Sequence, residues 1–134
     1  MYNIEYVSFE TAKLLKESGF NEKCEYCYAY FDDDDVRVFE LNPNKEAQNL
    51  AENRYPCVSQ QSAIIWLRKN NIFIDIHTII TTDKKVYFSA SVGTIEDGWD
   101  TIGELVESYE EAVDMALKYC CKYKREILQK SYPI

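Results

Sequence analysis

The chain has 134 residues, 46% of them hydrophobic, with eleven Tyr and six Phe, enough material for one buried core and too apolar for a disordered segment. Fifteen Lys plus Arg stand against 23 Asp plus Glu, a formal charge of −8, and that sign repels phosphate backbones, so nucleic acid is a disfavoured partner and a basic protein a favoured one. No run approaches the ~18 apolar residues of a membrane span, the first residues lack the basic and apolar stretches of a secretory signal, and five cysteines without framework spacing read as reduced thiols in a cytoplasmic protein.

The first helix is expected over residues 9–18. Ser8 is its N-cap, Val7 and Ala12 form a hydrophobic staple, and Gly19 followed by Phe20 reads as a Schellman stop. Residues 25–31 alternate Tyr26, Tyr28 and Tyr30 against Cys27, Ala29 and Phe31, the period of a strand. Four aspartates then lead into a second strand over residues 36–41, which makes a hairpin with an acidic tip. Residues 42–55 carry only a weak helical piece around 47–53 and stay unassigned.

A second helix is expected over residues 60–70, after Pro56 and with Ser59 as cap; Val58 and Ala63 staple it and the Asn70-Asn71 pair ends it. Strands over residues 72–80 and 85–92 follow, joined by a short link that requires antiparallel pairing. Residues 93–106 hold three of the four glycines and room for a short edge strand near Leu105. The last helix spans about residues 109–129, opened by the Ser108/Glu111 capping box, with Lys122, Lys124 and Arg125 toward its negative end. The order helix, hairpin, helix, hairpin, helix predicts a single α+β domain over residues 1–134: a mostly antiparallel sheet of four to five strands with three helices packed on it.

Three blocks stand out together: Val7-Ser-Phe-Glu-Thr-Ala-Lys-Leu-Leu-Lys-Glu-Ser-Gly-Phe20, Ser59-Gln-Gln-Ser-Ala-Ile-Ile-Trp-Leu-Arg68 and Ser108-Tyr-Glu-Glu-Ala-Val-Asp-Met-Ala-Leu117. In combination and order they resemble small uncharacterised proteins of phages and prophages of Bacteroides-type gut bacteria. The resemblance covers about a third of the chain, implies a phage-related cytosolic origin and carries no activity with it.

Chemistry-bearing patterns are few. Cys24-Glu-Tyr-Cys27 is a C-x-x-C set among β-formers, without the helix start that lowers a redox thiol's pKa, and residues three apart on a strand point to opposite faces. Zinc wants about four ligands; Cys57, Cys120, Cys121 and His77 offer no second knuckle, so the thiols read as small hydrophobes and no metal or cofactor is expected. The run from Asp32 to Asp35 fails a calcium loop, because Arg37 and Pro43 occupy the places of its glycine and last carboxylate. Asp75 and His77 with Ser89 or Ser91 make a paper triad on neighbouring strands, against the plainer reading of a polar sheet face.

The tyrosine row is the most informative feature. Tyr26, Tyr28 and Tyr30 are either core beneath a helix or three rigid amphipathic rings presented to a protein partner. The expectation is a non-enzymatic interaction protein binding itself or a basic partner. An acidic DNA mimic that blocks a host nuclease, and a small hydrolase or metal-dependent enzyme built on the His77/Asp75 face, are the alternatives.

Overall fold

The computed structural model describes residues 4–131, leaving aside the side chains of residues 125, 126 and 128–131, among them Arg125, expected near the last helix's negative end. The chain is α+β: α1 (Phe9–Glu17), β1 (Lys23–Asp32), β2 (Asp35–Glu46), a single 3-10 turn (Ala47–Asn49), β3 (Arg54–Cys57), α2 (Gln60–Lys69), β4 (Phe73–Ile80), β5 (Val86–Thr94), β6 (Gly98–Val106) and α3 (Tyr109–Ser131). Its contacts gather into two units, residues 1–66 and 67–134, divided within α2.

The expected single sheet of four to five strands is instead two three-stranded antiparallel sheets, ordered β2-β1-β3 and β4-β5-β6. Both expected hairpins form, and each gains a third strand: β3, which starts at the end of the unassigned segment 42–55, and β6, which contains the edge strand expected near Leu105 and is longer than it. In the first unit β3 pairs with β1 from Tyr26↔Cys57 to Ala29↔Arg54. In the second, β6 lies along β5, with an irregularity between Phe88 and Ala90 and left-handed glycines at 98 and 103. Gly103 has a further reason to lack a side chain, since a Cβ there would run into the Met115 sulfur of α3.

Helix ends follow their local chemistry. The Ser8, Ser59 and Ser108 hydroxyls accept from the amides of Thr11, Ser62 and Glu111 at 3.2, 3.0 and 3.1 Å, each satisfying an orphan donor of a first turn. At the end of α1 the Phe20 amide donates to Leu15 and the Gly19 amide to Lys16, the two Schellman bonds, with Gly19 at φ +90°.

In the first unit α1 packs by β3, and Val7, Ala12, Leu15, Phe20, Cys24, Cys27 and Ala29 are buried. The segment around Tyr6 bridges to Ser59, and the Val7 amide donates to the Val58 carbonyl at 2.9 Å. In the second unit α3 lies mainly against β5, where Ala90, Val92, Ile102, Val113, Ala116, Leu117 and Cys120 are buried and Phe88 meets Tyr109 edge-on. The helix leaves regular geometry at Tyr123. Among the described residues no helix is long and apolar enough to cross a membrane.

Candidate functional site

The two faces of β1 are used differently. Cys27 and Ala29 are buried, whereas Phe31, the third residue of that alternation, is 49% exposed because the strand ends beside the hairpin tip. On the other face Tyr26, Tyr28 and Tyr30 are each half-buried. Phe9, the first residue of α1, stacks parallel on Tyr30 at 5.8 Å and meets Tyr28 and Tyr55 edge-on at 5.7 and 5.5 Å. The Tyr28 hydroxyl donates to the Val7 carbonyl at 2.5 Å. Two of the three tyrosines are thus roofed by α1, and their rings serve first as packing.

Tyr26 is the member left beside open space. It meets Tyr6 edge-on at 6.0 Å and 80°, and the pair walls a cleft of about 280 Å3 also bordered by Lys23, Glu25 and Asn44. Burial raises the Tyr6 hydroxyl above its ordinary pKa, with Tyr26, Cys57 and Glu25 adding to the rise, so these groups share one electrostatic neighbourhood.

The acidic run forms the tip of the first hairpin. Asp32 accepts from the Asp34 amide at 2.8 Å, Asp33 from the Tyr30 hydroxyl at 2.7 Å, and Asp35 pairs with Arg37 at 2.9 Å. The hydrogen bond to Asp33, then burial, raises the Tyr30 pKa.

Beyond the tip runs β2, an edge strand bonded only to β1, and among the described residues its outer side has no backbone partner. Both of its faces carry exposed apolar groups: Val38 is 54% exposed on the tyrosine side and Phe39 39% exposed on the other. Phe39 lies under the Arg54 guanidinium at 4.8 Å, and Phe31 under that of Arg37 at 5.2 Å. These cation–π contacts place two arginines over exposed aromatic rings. Pro43 has no amide to extend a ladder, which leaves residues 36–41 as the open run. The alternation of Val36, Arg37, Val38 and Phe39 could have shown that both faces of this strand carry apolar groups, but not that it lies at an edge.

All five cysteines are buried, and none forms a disulfide. A register shift between Cys24 and Tyr26 breaks the alternation, and this is how Cys24 and Cys27 both turn inward, which strict strand geometry forbids. Burial, with Cys27 and Cys57 nearby, pushes the Cys24 thiol up to about 12, opposite to the shift a reactive thiol needs. Burial raises Cys120 and Cys57 as well. Among the described residues no three His, Cys, Asp or Glu side chains converge to hold a metal ion.

Asp75 and His77 do lean together, bridging their spacing of two along β4: His77 Nε2 lies 3.3 Å from Asp75 Oδ2, with both side chains about half exposed. Ser89 stands opposite His77 and Ser91 opposite Asp75 on β5. Among the described residues no hydrogen bond joins His77 to Ser89, and His77 borders neither the Tyr6/Tyr26 cleft nor the hollow beside Gly93 and Asp97. The triad's first link is present and its link to a nucleophile is not.

No family model, no curated protein and no solved structure matches this chain.

Proposed function

We propose that this protein is a non-enzymatic interaction module that takes an extended, basic segment of a partner protein along the open edge of β2. The unpaired outer edge of residues 36–41, with Val38 and Phe39 exposed on its two faces, is the observation that carries this reading. An unbonded edge offers alternating N–H and C=O groups to a new strand, and side chains on the two faces supply specificity. Four aspartates crown the adjacent hairpin tip and the whole chain carries −8, so a segment bearing Lys or Arg gains at both ranges. A second copy of the chain would bring −8 against −8. In keeping with the resemblance of its helices, the partner to seek is a protein of a phage-infected bacterial cell.

Lysine on an edge strand discourages pairing, so Val38→Lys is the discriminating variant. Wild-type protein immobilised in host lysate should retain a basic protein that the variant loses, with the thermal melt unchanged. Equal retention by both would overturn the reading. Self-association abolished by the same substitution would also overturn it, because the edge would then belong to a second copy.

A further inference from the structure

The cleft between Tyr6 and Tyr26 combines features that the strand-addition reading does not use. We infer that it is a binding site for a small zwitterion, an α-amino acid with an apolar side chain, held by its ammonium at Glu25 and the two tyrosine rings and by its carboxylate at Lys23 and Asn44.

Lys23 and Glu25 sit two apart on β1, both exposed, both bordering the cleft, and neither forms an ion pair among the described residues. Lys23 has a carboxylate directly across the strand pair in Glu46, yet Glu46 instead accepts from the Gln48 side-chain amide at 2.7 Å. One cation and one anion thus stand at a single concave space without neutralising each other or a strand neighbour. A ligand carrying both charges can answer both.

The rings set which end goes where. Tyr6 and Tyr26 meet edge-on at 80° and wall the cleft together with Glu25. Two aromatic walls with a carboxylate are the recognition chemistry of an ammonium group, whose charge is drawn to ring faces. The amide of Asn44 and the Lys23 ammonium supply hydrogen-bond donors for a carboxylate. Ile4 and Val58 add apolar lining, which suits an aliphatic side chain.

Size selects within the class. A cleft of about 280 Å3 falls just under the roughly 300–1,000 Å3 of pockets for drug-sized ligands, which suits a molecule of one amino acid. Phosphate-bearing ligands of similar size are disfavoured by Glu25 and by the net charge.

Three probes separate the two ends: L-leucine, its methyl ester, which keeps only the cation, and N-acetyl-L-leucine, which keeps only the anion. In an NMR titration of the full chain L-leucine should give saturable shifts on Tyr6, Tyr26 and the Asn44 side-chain amide at millimolar concentration. Each singly charged analogue should bind about tenfold more weakly, the worth of one charge-assisted bond. Glu25→Gln should erase the preference for L-leucine over the N-acetyl form, and Lys23→Gln the preference over the ester. Both are surface changes that leave the fold intact for comparison. No saturable shift with L-leucine, or equal binding of all three probes, would overturn the assignment. The outcome is independent of the β2 reading, because Val38→Lys leaves the cleft untouched.

Discussion

Tyr28 offers the sharpest perturbation of the first unit, because its ring and its hydroxyl have separate partners. Tyr28→Phe keeps the ring and removes the hydroxyl, and with it the bond to the Val7 carbonyl, whose residue is fully buried. An acceptor left unpaired away from water costs about 1–3 kcal/mol. Tyr28→Ser also removes the edge-on contact with Phe9. A buried aromatic truncation costs about 3–5 kcal/mol; Tyr28 is half-buried, so about 2–3 kcal/mol is expected for the ring and about 3–5 kcal/mol for the whole substitution. Urea titration followed by circular dichroism measures both. With a slope of roughly 1–3 kcal/mol/M, Tyr28→Phe should lower the midpoint by about 1 M and Tyr28→Ser by two to three times as much, at unchanged slope. A Tyr28→Ser protein within about 0.5 kcal/mol of wild type would refute the idea that α1 packs down on the tyrosine row.

In the second unit Ser108→Ala should cost about 1 kcal/mol through the lost cap on Glu111, and Leu117→Ala, fully buried on α3, about 2–5 kcal/mol; near-equal melts for the two variants would mean that α3 is not seated as described. The cysteines should react with a disulfide reagent far more slowly in native protein at pH 8 than after unfolding in urea, and rapid native labelling would contradict their burial. The Cys24 thiol, raised from 9.0 to about 12, favours the fold while it stays protonated, so its contribution is complete below about pH 9 and is lost as pH rises toward 12; a urea midpoint that climbs across that window would reverse the sign.

What the sequence made legible was local. Caps at Ser8, Ser59 and Ser108 and the stop at Gly19 depend on bonds within one turn, and the structure has all of them. The two hairpins were readable because their strands are joined by short links. Of the third strands, β3 was not, and β6 only as a short edge strand near Leu105. β3 is four residues containing Pro56, and β6 is broken by left-handed glycines, so neither shows a clean period and both depend on pairing with distant partners. The segment leading into β3 is fastened by a residue no pattern marks: the Lys16 ammonium donates to the Ala51 and Arg54 carbonyls at 2.7 Å each and lies 4.9 Å over the Tyr55 ring. The same distinction governs the candidate sites. Alternation places the three tyrosines on one face, but only tertiary packing shows that Phe9 covers two of them and leaves Tyr26 at a cleft. Nothing in the run from Val36 to Leu41 reveals that, among the described residues, this strand pairs with β1 alone.

The open edge of β2 is the centre of the functional account, and backbone hydrogen exchange reads it directly. In the isolated protein, outward amides within residues 36–41 should exchange rapidly, since an edge strand bonds on one side only. With the captured partner bound, those amides should slow at least tenfold while β3 and the Tyr6/Tyr26 cleft stay unchanged. Protection that appears elsewhere, with residues 36–41 still exchanging as in the free protein, would contradict it.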